Sequence, residues 1–150
     1  LNDTSVIGVY IFYNLIYALF AFPIGIIADK IGLKTIFVSG LLVFSAVYFG
    51  MALNTNLYIF FALFFLYGIY AAATEGVAKA WISNISDKND TATAIGTFSG
   101  LQSICTMLAS SITGVIWYRL GATAAFLLTA GVAILVALYF IINIRRNSIN

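Results

Sequence analysis

The chain has 150 residues, 63% of them hydrophobic and 8% charged, with a mean hydropathy of +1.06 and a net charge of +2. Soluble domains carry roughly 25% charged residues, so a soluble fold is excluded. Seven scattered basic residues make no phosphate-tracking patch, so no nucleic-acid partner is expected. A lone cysteine, Cys105, leaves no internal disulfide to form.

Charge-free runs extend from Thr4 to Ala28, Thr35 to Thr74, Thr91 to Tyr118 and Leu120 to Ile144. About 20 apolar residues cross a ~30 Å hydrocarbon core. The second run is long enough for two spans, and Asn54-Thr55-Asn56 divides it as a polar turn. The expected fold is therefore all-α, a polytopic bundle of five transmembrane helices in one domain. Their expected limits are 5–28, 35–53, 57–83, 92–118 and 122–144. The sequence opens at Leu1 without an initiator Met, a basic n-region or a cleavage site, and reads as a fragment lacking upstream helices.

In chain order, Thr4 or Ser5 is placed to cap the first helix. Tyr10, Tyr13, Asn14 and Tyr17 follow at i, i+3, i+4 and i+7, which puts them on one face. That face either lines a cavity or glues the helix to a neighbour, because an asparagine in hydrocarbon wants a partner or water. Pro23 and Gly25 loosen the last turns. The stretch Gly25–Lys34, with Asp29, Lys30, Gly32 and Lys34, then reads as a short charged loop that reverses the chain in water. The second helix offers only serines, glycines and apolar residues, and is expected to face lipid.

The third helix is the polar exception. Tyr67, Tyr70, Thr74, Glu75 and Lys79 fall within about half its circumference. Counted back from Ser83, Glu75 lies about 12 Å inside. A charge at that depth costs at least ~2.5–3.5 kcal/mol on insertion scales, which makes Glu75 a candidate proton or charge site. Two readings stay open: Glu75 and Lys79 neutralise each other as an i, i+4 pair, or Lys79 snorkels to the interface beside Trp81. After a second charged loop at Ser83–Asp90, Asp90 or Thr91 is placed to cap the fourth helix. In that helix Gly96, Gly100 and Gly114 mark a small-residue strip suited to close helix packing. Gln102 is its only strongly polar side chain, a candidate for a cavity or a cross-helix bond. The fifth helix is bland until Asn143, and Arg145 and Arg146 are placed to anchor it at the surface.

Lys30, Lys34, Lys88, Arg145 and Arg146 fall on one side of the membrane and only Arg119 on the other. Positive residues gather in the cytoplasm. The charged loops and C-terminus are therefore expected inside and Leu1 outside, in a multi-pass protein of the cytoplasmic membrane. A further pattern joins the two ends of the chain. Gly25-Ile-Ile-Ala-Asp-Lys-Ile-Gly32 closes the first helix, and Gly114-Val-Ile-Trp-Tyr-Arg-Leu-Gly121 closes the fourth, 89 residues later and at the opposite membrane face. Such an echo marks an inverted repeat. It pairs helix one with four and two with five, so the partner of helix three is expected before Leu1.

The spacing G-x-x-x-D-K-x-G-x-K at Gly25, Asp29, Lys30, Gly32 and Lys34 resembles the cytoplasmic loop of the major facilitator superfamily of secondary transporters. The resemblance covers essentially the whole chain, as helices eight to twelve of twelve in a C-terminal half. Thr35 departs from the pattern, since relatives often carry a second base there, and Thr91 stands where many have an arginine. The resemblance implies alternating access, with Asp29 as a cytoplasmic latch and Lys30 and Lys34 in support. It also implies an unknown small-molecule substrate, proton coupling as an option, no cofactor and no bound metal. The implied partners are the lipid bilayer and the missing N-terminal half of the same polypeptide. Tyr10, Tyr13, Asn14, Tyr17, Tyr67, Tyr70 and Gln102 are the candidate cavity lining. A membrane scaffold without transport would explain the glycine packing but not the loop motif. A membrane enzyme is disfavoured, because the chain has no His and no recognisable acid–base spacing.

Overall fold

The computed structural model describes the backbone of residues 3–54 and 56–147, and the side chains of that range except 3–6, 57 and 143–147. Leu1, the Thr4 and Ser5 caps, Thr55 of the polar turn, Asn143 and the Arg145 and Arg146 anchors thus fall outside the described side chains. Five helices follow one another: α1 Asp3–Ile31, α2 Leu33–Leu53, α3 Leu57–Ile85, α4 Thr91–Leu120 and α5 Ala122–Asn147. Each contains a stretch long and apolar enough to cross a bilayer. Asn56 caps α3 by accepting from the Tyr58 amide at 2.9 Å, and the Asn54 amide closes α2 on the Gly50 carbonyl.

The expected ten-residue loop is a single residue. α1 runs unbroken past Pro23 and through Asp29 and Lys30 to Ile31, and Gly32 alone reverses the chain. Gly32 has φ 99°, where a side chain would be strained, and its amide closes the helix on the Ala28 carbonyl at 2.9 Å. With one glycine making the turn, none of the charged residues has to leave helical geometry.

Gly121 repeats that turn. It has φ 88°, and among the described residues no other than these two glycines has positive φ. Its amide bonds the Trp117 carbonyl at 2.9 Å, as Gly32 bonds Ala28, and its carbonyl takes the Ala125 amide as Gly32 takes Ile36. Every participant is displaced by the same 89 residues. The inverted echo in the sequence is thus an echo in backbone geometry.

The helix expected to face lipid is the centre of the bundle. α2 packs along its length on α5 and α3, and buries Val38, Gly40, Ser45, Val47 and Met51. Apolarity cannot separate lipid contact from protein contact in a membrane; small residues and polar glue decide. A Cβ on Gly40 would stand 2.8 Å from Thr74 and 3.1 Å from Ala73, so α3 rests almost on the α2 backbone. The Ser45 hydroxyl donates to the Ala130 carbonyl of α5 at 3.0 Å. α5 buries Ala130, Ala133 and Ala137, and Ala130 meets α2 through that bond.

α1 leans on α3, with the closest approach at Gly68. Below it Ile24 and Ala28 pack with Ala72, Ala73 and Val77. α4 is the loosely held helix. It touches α5 and, less, α3, and buries none of its residues. The small-residue strip does no packing within this chain: Gly96, Gly100 and Gly114 have nothing within 4 Å of a built Cβ. Helix contact falls to Gly40, Gly50 and Gly68 instead. Asp90 occupies the N-cap position of α4 without a side-chain cap bond, and the Thr91 hydroxyl turns back to the Asp87 carbonyl.

Candidate functional site

The polar residues at membrane depth converge on the open side of α3. A cavity of about 390 Å³ lies between α2, α3 and α4. α3 supplies Tyr70, Thr74, Glu75 and Lys79, α4 supplies Phe98 and Gln102, and α2 closes it with Phe37 and Leu41. Thr74 is buried and its hydroxyl donates to the Tyr70 carbonyl at 2.9 Å, so it forms wall rather than a free group. Glu75 and Lys79 stand open to the cavity, and among the described residues no ion pair joins them. Glu75 sits ten residues before the end of α3, about 15 Å of helix. A carboxyl at that depth without a paired cation needs water or a ligand.

An aromatic train leads to this cavity from the far end of α1. Ring centroids are 6.3 Å apart for Tyr10–Tyr13, 5.2 Å for Tyr13–Tyr67 and 5.4 Å for Tyr67–Tyr70. Phe44 then stacks within 4.5 Å of Tyr70 and 4.4 Å of Tyr48, and Tyr48 continues to Phe126 and Trp117. The spacings are those of favourable tilted and edge contacts. The train passes through all five helices.

The family model of the Major Facilitator Superfamily matches residues 2–149. The chain belongs to that superfamily. It is also 39% identical over 111 residues to an uncharacterised MFS-type transporter of Methanocaldococcus jannaschii, a match covering 74% of this chain and 28% of that protein. The matched stretch is thus less than a third of that relative. No solved structure matches it.

Within this MFS bundle the sequence-derived candidates separate into three places. Tyr70, Glu75, Lys79 and Gln102 share the cavity. Tyr13 and Tyr67 belong to the aromatic train beside it, and Tyr10, 66% exposed, ends the train. Asn14 satisfies its amide on the Tyr10 carbonyl of its own helix at 2.8 Å. Tyr17 lies apart, in a second groove of about 280 Å³ between α1 and α3, with Gly25 and Asp29. Small residues such as Ala72, Gly76 and Ala80 floor that groove, so the loop-motif carboxylate stands beside a slot shaped for close approach. Gly25 has nothing within 4 Å of a built Cβ. Lys30 is exposed in the last turn of α1.

Lys34 is held: its Nζ sits 5.3 Å from the Trp81 ring centroid, and Trp81 stacks with Phe37 and Phe140. A cation over a tryptophan is worth about 0.5–1 kcal/mol at an exposed site. Sequence reasoning passed over Phe44 and Tyr48, which complete the train, and Phe37 and Phe98 in the cavity wall. The i, i+4 spacing of Phe44 and Tyr48 was the available signal, weak in a helix so rich in apolar residues.

Proposed function

We propose that this chain forms the C-terminal half of a secondary active transporter that moves a small solute by alternating access, with Gly25, Asp29, Lys30, Gly32 and Lys34 as a cytoplasmic latch. The observation that carries this reading is the cavity holding Tyr70, Glu75, Lys79 and Gln102 at membrane depth. Its hydrogen-bonding and aromatic wall suits a polar or amphipathic organic solute bound near the midplane between two halves. Glu75 carries the coupling proton in this reading. A carboxyl facing a cavity without a fixed counter-ion can take up and release a proton as the cavity changes access.

The test is transport by the complete polypeptide with and without a pH gradient. Glu75→Gln is expected to abolish gradient-driven accumulation and to preserve substrate exchange, which needs no net proton movement. If Glu75 only balances Lys79, Glu75→Gln lowers stability and the double variant Glu75→Gln, Lys79→Gln recovers it. Gradient-driven uptake in that double variant rules out the proton role.

A further inference from the structure

Glu75 and Lys79 are opposite charges on one face of α3, and both open into the same cavity. Among the described residues neither has an ion-pair partner. Ala78 lines the same wall with no more than a methyl, which leaves the space beside the two charges open. The facing helix matches them in two levels. Lys79 lies six residues before the end of α3 and Phe98 seven after the start of α4, about 9–10 Å in from that side. Glu75 and Gln102 lie ten and eleven residues in, about 15–17 Å. Phe37 and Leu41 of α2 close the remaining wall.

The charge balance of this cavity selects what can fill it. A solute must displace the water that hydrates both side chains. A neutral solute leaves a carboxylate and an ammonium short of charged partners. A singly charged solute answers one of them, strands the other, and gives the filled cavity a net charge. At membrane depth a stranded charge costs at least ~2.5–3.5 kcal/mol on insertion scales. A zwitterion answers both and keeps the filled cavity neutral.

We infer that the cavity takes a small zwitterion, an α-amino acid with an apolar side chain, its ammonium on Glu75 and its carboxylate on Lys79. One helical turn, about 6 Å, separates the two residues along α3. The charges of the solute must therefore stand a few bonds apart, as they do on either side of an α-carbon. Gln102, level with Glu75, both donates and accepts, so its amide adds a bond to either head group. Phe37, Leu41 and Phe98 offer the apolar surface for the side chain. A volume of about 390 Å³ lies within the ~300–1,000 Å³ range of small-molecule sites. The inference deepens the transporter reading and rests on it for what is moved, whereas binding belongs to the cavity itself. Glu75→Gln keeps an amide oxygen that accepts from the ammonium, so exchange persists in that variant at raised solute concentration.

The experiment is thermal melting of the complete polypeptide, purified in detergent, with four probes. Leucine and phenylalanine carry both charges, leucinamide only the cation and N-acetylleucine only the anion. A bound ligand raises the melting temperature with its concentration over Kd. Leucine or phenylalanine is expected to act at concentrations at least ~10-fold below those of the two singly charged probes. Glu75→Gln is expected to weaken leucine at least ~10-fold and to favour N-acetylleucine over leucinamide. Lys79→Gln should give the opposite order, and Lys79→Arg should keep the preference for the zwitterion. Leucinamide binding as well as leucine to the unsubstituted protein overturns the inference in favour of an organic cation. Equal binding of N-acetylleucine overturns it in favour of an anion. No shift with any probe overturns it too and leaves the two charges as a structural pair. The unsubstituted protein alone decides these outcomes, so a variant that fails to fold does not. Melting is read without transport: leucine that binds as expected yet is not exchanged in proteoliposomes defeats the transporter reading and not this one.

Discussion

The closest contact between α1 and α3 makes a sharp test of the packing. A Cβ at Gly68 would stand 2.7 Å from Ile16 Cγ2, 2.8 Å from Ile16 Cβ and 3.2 Å from the Tyr13 carbonyl oxygen. Ile16 is buried and β-branched, so in a helix it has essentially one χ1 well to occupy. Its Cβ and the Tyr13 oxygen are fixed by backbone, so relief requires the two helices to part. Overpacking of this kind costs about 1–3 kcal/mol, while alanine returns about 1 kcal/mol of helix propensity. Gly131→Ala isolates the clash. Gly131 has nothing within 4 Å, and its repeat counterpart Leu42 is exposed. Thermal melting of the purified full-length variants in detergent should place Gly68→Ala about 1–3 kcal/mol below Gly131→Ala. Gly50→Ala should fall between, since the atom it meets is the movable end of Leu63, at 2.8 Å. Equal stability of Gly68→Ala and Gly131→Ala would refute the close approach.

Orientation is checked by single-cysteine labelling in the Cys105→Ala background: Thr55→Cys is expected to react with an impermeant maleimide from outside, and labelling only from the cytoplasm reverses the topology. For the latch, Asp29→Asn removes a charge that favours a facing helix N-terminus by roughly 0.3–1 kcal/mol, or ~2 if partly buried. Slower transport at near-normal expression is expected, and unchanged transport with unchanged accessibility of the cytoplasmic cavity counts against a latch.

Span number, the inverted echo and the family resemblance were legible because each rests on a signal that packing cannot override. A charge-free run of 25 residues has one stable environment, and a glycine at positive φ has few substitutes. Helix position was not legible. α2 reads as a lipid-facing segment because its residues are apolar, yet Gly40, Ser45 and Gly50 are what let α3 and α5 come close. The glycine strip of α4 reads as a packing face, and its three glycines meet no neighbour in this chain. The partner of either helix could not be read for one reason: in lipid, small residues permit contact without naming the partner, and no hydrophobic drive sorts inside from outside. Of the site, the α3 face was legible from its half-turn of polar residues. Its meeting with Gln102 was not, because that depends on the rotation of α4. The one-residue turn at Gly32 was hidden by its charges, which suggested a loop where a helix end suffices.

The division of labour among the helices follows from the same physics. The tightest contacts use residues with little side chain, at Gly40, Gly50, Gly68 and the alanines of α5, and they leave no room for an ionised group. Glu75 and Lys79 stand where α3 leaves that packing and faces the loosely held α4. A charge belongs there because the cavity can hydrate it, whereas the α2–α5 contact could only desolvate it. α4 buries none of its residues within this chain and meets α3 only lightly, so Phe98 and Gln102 bound the cavity on its open side.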